Sequence, residues 1–211
     1  MKKIILLIAC IFLLTGCTQV KDLSYDDILE TISGNANRTN MYRTGYKYYL
    51  PQGMEIEDST LFNEVITDYN NVYYLYIDGI SYHNKKDNSY KENGNVYYSK
   101  EINNDDKNGY VEINLLENEK YLIEIMYNYA KIEVIVEQKD INISLFNALN
   151  ILKSVEYNDN IIANLLDNDV LNFVEEEFNI FHTTSSDSTY IQIDDSYQEE
   201  EQQVPDTDLI N

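Results

Sequence analysis

Apolar and polar positions divide the chain into stretches with different periods. Ile4 to Leu14 is an unbroken apolar run. After it, Ser24 is a good helix N-cap with Asp27 three residues on and Gly34 as a stop, so Tyr25 to Ile32 reads as a short helix. Residues 34–44 are polar and read as a loop. From Gly45 to Gln138 the signal is mainly β. Tyr46 to Leu50 is a strand closed by Pro51-Gln52-Gly53, and Val72 to Ile77 is a near-continuous apolar strand of the kind found in a sheet centre. Leu61 to Ile66 reads as a helical turn. Asp78-Gly79, Asn93-Gly94 and Asn108-Gly109 suit tight hairpins, which places strands at about 80–84, 95–102 and 110–116.

Lys120 to Tyr127 and Tyr129 to Glu137 follow as strands, with Asn128 as the turn. In the second, Ala130, Ile132, Val134 and Val136 alternate with Lys131, Glu133, Ile135 and Glu137, which implies one buried and one largely wet face. The period then changes. Leu145, Leu149 and Leu152 recur at helical spacing, predicting a helix over 142–153 that covers the sheet. Val155 to Tyr157 reads as a last short strand. Ile161, Ile162, Leu165 and Leu166, then Leu171, Val174, Phe178 and Phe181, suggest two more amphipathic helices. From His182 the chain is rich in Ser, Thr, Asp, Glu and Gln and reads as a tail without a core. The fold class expected is α+β, an antiparallel β-sheet meander covered by helices, with a disordered acidic C-terminal tail.

The apolar run at the start follows Met1-Lys2-Lys3 and precedes Thr15-Gly16-Cys17, the layout of an export signal. It has 11 residues, short of the ~20 that span a bilayer as a helix. Leu14-Thr15-Gly16-Cys17 resembles the bacterial lipobox. That resemblance implies a diacylglyceryl group on the Cys17 thiol and cleavage between Gly16 and Cys17. Leu7-Ile8-Ala9-Cys10 fits the same pattern but would strand Ile11 to Leu14 on the mature chain, so Cys10 is rejected. Two acyl chains, at ~0.8 kcal/mol per buried methylene, give stable anchoring where one is marginal. The expected organisation is a signal peptide at 1–16, a lipidated N-terminus with short helix and linker at 17–44, an α+β domain at 45–181 and the acidic tail at 182–211.

Composition narrows the options. Loss of residues 1–16 removes Lys2, Lys3 and no acid, moving the net charge from −22 to −24. It also leaves Cys17 as the only cysteine, so no disulfide framework or cysteine-based metal site is expected. No Lys or Arg follows Lys153, while Glu156 to Asp208 holds 15 acids. Such a chain repels phosphate backbones, and nucleic-acid binding is not expected.

The strand-rich middle, covering helix and final strand over roughly 45–157 resemble the small α+β sandwiches of the PsbP/Mog1 type. Tyr73 to Asp78 and Ile123 to Glu133 are similar to stretches of uncharacterised lipoproteins from low-GC Gram-positive bacteria, a resemblance that implies no assigned activity.

Candidate chemistry is sparse. The two histidines, His83 and His182, have no cysteine or second histidine beside them to build a zinc site. No nucleophile elbow and no glycine-rich phosphate loop occurs. Asn104-Asp105-Asp106-Lys107-Asn108-Gly109 followed by Val111 and Glu112 resembles the first half of an EF-hand loop, with Asn104, Asp106, Asn108 and Glu112 as the candidate calcium ligands. Asn stands where the first Asp belongs and Leu115 where the bidentate Glu belongs, and a polar hairpin explains the same residues. The chain has 20 tyrosines. Consecutive ones point to opposite faces of a sheet, so packing is expected of them more than a stacking platform.

These readings together predict a monomeric, non-enzymatic, cofactor-free module on the outer face of the cytoplasmic membrane, held by lipid on Cys17. It would bind or scaffold an envelope protein partner. The alternative is a ligand-binding protein for a cation, peptide or glycan.

Overall fold

The structure is a computed structural model and describes residues 20–34, 36–104 and 107–167. All lie in the first of two compact units, residues 1–177. Cys17, Asp106, the helix expected near Leu171 to Phe181 and the tail from His182 lie outside the described residues.

The chain enters through a 3-10 turn, Val20–Asp22, and then α1, Tyr25–Glu30. Ser24 caps α1 as expected. Its hydroxyl accepts from the Asp27 N–H at 3.1 Å, while the Asp27 carboxylate accepts from the Ser24 N–H at 3.2 Å. Strands β1 (Met41–Arg43) and β2 (Tyr46–Tyr48) form a hairpin at the edge of what was expected to be loop. Next come β3 (Glu55–Ser59), β4 (Asn63–Thr67) and β5 (Val72–Ile77). The helical turn expected at Leu61 to Ile66 is therefore corrected to a strand, paired on both sides.

Helix α2 (Gly79–Asn84) replaces the strand expected at 80–84. Asp78-Gly79 is not a hairpin turn. Asp78 caps α2 by accepting from the Ser81 N–H at 2.8 Å, and a Cβ on Gly79 would meet the Phe62 ring at 3.3 Å. Strands β6 (Tyr98–Asn104) and β7 (Lys107–Leu115) pair from Tyr98↔Ile113 to Asn104↔Lys107. Asn108-Gly109 is thus inside a strand, not at its end. Gly109 is needed for close approach rather than for a turn, because a Cβ there would lie 1.9 Å from the Met126 carbonyl oxygen.

Strands β8 (Tyr121–Tyr127) and β9 (Ala130–Val136) close on a two-residue turn, with Asn128 at φ 52° and Tyr129 at φ 61°. Helix α3 (Ile141–Lys153), strand β10 (Glu156–Tyr157) and helix α4 (Asp159–Asp167) complete the described chain.

The seven-stranded sheet has the order β3-β4-β5-β9-β8-β7-β6, and every pairing is antiparallel. Two meanders meet where β9 pairs with β5. Between them the chain must pass from the third strand to the far edge, about 19 Å at ~4.8 Å per strand. The connection through α2 and residues 85–97 makes that crossing. A second sheet has the order β1-β2-β10. Helix α3 packs on β8 and β9 and is joined there by α1. Ile123, Ile125, Ile132, Val134, Leu145 and Leu149 are at 0% exposure in this layer.

The opposite face of the sheet departs from expectation. The alternation along 130–137 predicts a largely wet face, yet Leu122, Glu124 and Glu133 are each 7% exposed. The crossing segment lies over part of it: Tyr90 stacks on Tyr110 with ring centres 4.3 Å apart. No helix among the described residues is long and apolar enough to cross a membrane.

Candidate functional site

Three polar arrangements stand out, and none was visible as a motif. The first is on β4. Glu64 points to the core side of the sheet and is 1% exposed. The small sheet supplies its partners. Tyr46 and Tyr48, two apart on β2 and so on one face, each donate a hydroxyl to it at 2.8 Å. Arg43 donates at 2.9 Å from the end of β1. Burial first, and then the Glu64 carboxylate, push both phenols well above the usual tyrosine range. Three donors fill this carboxylate, so its evident work is to lock the small sheet to the large one.

The second is on the covered outer face. Glu124 on β8 stands directly opposite Glu133 on β9. Tyr110 donates to Glu124 at 2.5 Å, and Lys131 pairs with Glu133 at 2.9 Å. Burial raises the Glu124 carboxyl; Lys131 and the Tyr110 hydroxyl oppose that, and Glu133 adds to it. At 7% exposure each, the two carboxyls present little surface to a large substrate.

The third is a groove of about 290 Å³ between α1 and β6. The capping box sets the start of α1, whose Leu29, with Ile32 just beyond, gives the groove an apolar floor shared with Ile102 of β6. Asp26 and Glu30 stand on its rim with Lys100, while Glu101 borders it from a strand position whose side chain faces the other side of the sheet. Tyr98 donates to Asp26 at 2.9 Å, and the Lys100 ammonium is 3.9 Å from the same carboxylate. Burial and contact with Tyr97 raise the neighbouring Tyr25 phenol to about 12. The groove is open, amphipathic and predominantly acidic.

The expected calcium ligands fall otherwise. Asn104 lies opposite Lys107 at the hairpin end, and Asn108 lies opposite Asn103. Glu112 is five positions further along β7 than Lys107, roughly 17 Å at ~3.4 Å per residue. Its carboxylate accepts from the Tyr90 hydroxyl at 2.5 Å. Asn104, Asn108 and Glu112 are therefore strung along a ladder and do not gather around one point. No group of three or more acid, His or Cys side chains able to hold a metal occurs among the described residues. His83 is on α2 and exposed.

Sequence reasoning anticipated α1 but not the groove beside it. Nothing local reveals that β6 is a sheet edge, since that depends on the order of all seven strands.

No family model matches the chain. No curated protein matches it either. Among solved structures, a crystal structure of a GTP-binding regulator from Thermotoga maritima is similar over 64% of this chain and 89% of that one, at 12% identity and a TM-score of 0.25. A likeness at that level carries no argument.

Proposed function

We propose that this is a membrane-anchored extracytoplasmic lipoprotein, a non-enzymatic module that binds or scaffolds another component of the cell envelope. The observation that carries the binding half is the α1–β6 groove, whose apolar floor and acid rim form an open, mixed surface suited to recognition. The anchoring half rests on Leu14-Thr15-Gly16-Cys17.

The anchoring of the first described residues supports the same reading. The Asn142 carboxamide on α3 reaches the carbonyls of Val20, Lys21 and Leu23 at 3.4, 3.1 and 2.7 Å. It pins the chain three residues after Cys17. At ~3.6 Å per residue, a lipid on Cys17 would hold the domain within about 11 Å of its attachment point. Recognition would then take place close to the membrane surface.

Two measurements test this. Labelled palmitate should enter the wild-type chain and not Cys17→Ala, and that variant should leave the membrane fraction. Capture from envelope extracts, with and without residues 182–211, should recover the same partner reproducibly. Unchanged fractionation of Cys17→Ala would overturn the anchoring, and capture of nothing in either form would overturn the binding role.

A further inference from the structure

The strand pairings sort the exposed apolar side chains by end of the large sheet. Among the described residues the exposed large hydrophobics are Tyr42, Tyr69, Val72, Tyr97, Leu115 and Ile161. Thr67 pairs with Val72, Tyr73 with Val134, Val136 with Tyr121, and Tyr121 with Leu115. The β4–β5 turn, the end of β9 and the β7–β8 turn therefore share one end of the sheet. Tyr97 joins them, its ring centre 4.9 Å from that of Tyr121. Tyr69, Val72, Tyr97 and Leu115 all belong to this end. Tyr42 and Ile161 belong to the other, beside the small sheet. There the Ser154 hydroxyl, just after α3, accepts from the Tyr49 N–H at 2.7 Å, and the Asn158 N–H donates to the Gly45 carbonyl at 2.8 Å.

The chain enters at the first of these ends. Helix α3 follows β9 through the short turn Gln138–Asp140, and Asn142 in its first turn holds the carbonyls of Val20, Lys21 and Leu23. The end is also stiff. The Asp68 carboxylate accepts from the N–H groups of Asn70 and Asn71 at 2.8 Å each. It accepts as well from the Tyr73 hydroxyl at 2.6 Å, which lies 3.1 Å from the Ser144 hydroxyl of α3. Tyr69 is thus presented at 101% exposure from a turn fixed to α3, and little backbone freedom is left to lose when it is covered.

We infer that this end of the sheet rests on the phospholipid surface, with Tyr69 and Leu115 entering the headgroup layer on either side of the lipid on Cys17. The inference rests on the anchoring proposed above and adds the orientation of the domain. Reach decides which end is held down. A lipid on Cys17 lies within about 11 Å of Val20. A strand of seven residues such as β9 carries the far end roughly 24 Å away at ~3.4 Å per residue. Strands β9 and β8 separate β5 from β7, so the strands that carry Tyr69 and Leu115 stand about 14 Å apart at ~4.8 Å per strand. They flank α3 and the entering chain. Tyrosine suits this depth, because its ring is apolar and its hydroxyl can stay in water. Charge does not hold the contact. On these loops Lys21, Lys120 and Lys139 are outnumbered by Asp22, Asp68, Glu117, Glu119, Glu137 and Asp140, the reverse of a segment drawn to anionic headgroups. The lipid supplies the affinity, and the exposed side chains set the orientation.

The chain has no tryptophan, so a single introduced one reports its own surroundings. The test compares Tyr69→Trp, Leu115→Trp and Tyr42→Trp in the full lipidated chain, on phosphatidylcholine vesicles with and without bromine on the acyl chains near the headgroup. Emission from Tyr69→Trp and Leu115→Trp should shift to the blue on the vesicles and be quenched at least twofold by bromine. Emission from Tyr42→Trp should do neither. All three positions are exposed, and Leu115→Trp stays readable should Tyr69→Trp fail to fold.

Quenching of Tyr42→Trp as strong as that of the other two, or of none of the three, would overturn the orientation while leaving lipidation of Cys17 intact. A blue shift of Tyr69→Trp in the chain without lipid and without vesicles would assign the patch to a second copy and overturn it as well. A chain that takes up no palmitate on Cys17 removes the anchoring and this inference with it.

Discussion

Glu64→Ala is the most informative single change, because its cost can be worked out from the partners it strands. The carboxylate is fully enclosed and accepts from two buried phenols and one guanidinium. Removing one member of a buried ion pair costs ~3–5 kcal/mol. Arg43 keeps 24% side-chain exposure, and its second contact is only the Tyr42 carbonyl at 3.1 Å, so partial rehydration brings its share to the low end. Each stranded phenol adds ~1–3 kcal/mol, not additively, because the groups share one acceptor. The expected loss is about 4 kcal/mol, a large part of the ~5–15 kcal/mol by which domains are stable.

Urea unfolding followed by far-ultraviolet circular dichroism measures the loss. Replacing the whole cluster, Arg43→Met with Tyr46→Phe, Tyr48→Phe and Glu64→Leu, should recover stability relative to Glu64→Ala, since no polar group is then left without a partner. A loss under 1 kcal/mol for Glu64→Ala would refute the reasoning. So would a fourfold variant less stable than the single one.

Three further outcomes are expected. Gly109→Ala must push β7 off the Met126 carbonyl, costing about 3 kcal/mol and lowering Tm by ~6–12 °C for a domain of this size; a shift under 2 °C would contradict the close approach. Glu124 titrates above its ordinary value through burial, so the folded chain holds that proton more tightly than the unfolded one. Its contribution is fully present below the unfolded pKa and is lost as pH climbs through the raised folded value. Glu124→Gln should therefore gain on wild type in unfolding free energy between pH 4 and 8, and a flat difference would refute the assignment. Asn142→Ala frees the carbonyls of Val20, Lys21 and Leu23, so tryptic cleavage after Lys21 should quicken about tenfold, with a global loss of only ~1–2 kcal/mol.

The parts of the fold that were legible are those written locally. Ser24 and Asp27 make a reciprocal cap within four residues, and the leucines of α3 face one layer, so both helices fall where their spacing puts them. Strands β8 and β9 are equally plain, since their core positions are uniformly aliphatic or aromatic. Strand β4 is not legible locally, for the opposite reason. Its core-facing pair is Glu64 and Ile66, while Val65 faces away. A buried glutamate inverts the expected alternation, and only Arg43, Tyr46 and Tyr48, 16 or more residues earlier in the chain, make that burial tolerable.

The two displaced glycine dipeptides carry the same lesson toward the site. Asn108-Gly109 has the composition of a turn, yet the glycine answers to a carbonyl on β8, a strand not yet reached in the chain. Shifting that hairpin by a few residues moves β6 to Tyr98–Asn104, which puts Glu101 and Ile102 beside α1. At the other dipeptide, Asp78 starts a helix and frees the chain to cross to the far edge of the sheet. Had residues 80–84 been a strand beside β5, β9 could not have paired there, and β6 would not be the edge that borders the groove. The candidate site thus exists because two turn-like dipeptides are used for something else, and that choice is made by tertiary packing rather than by local propensity.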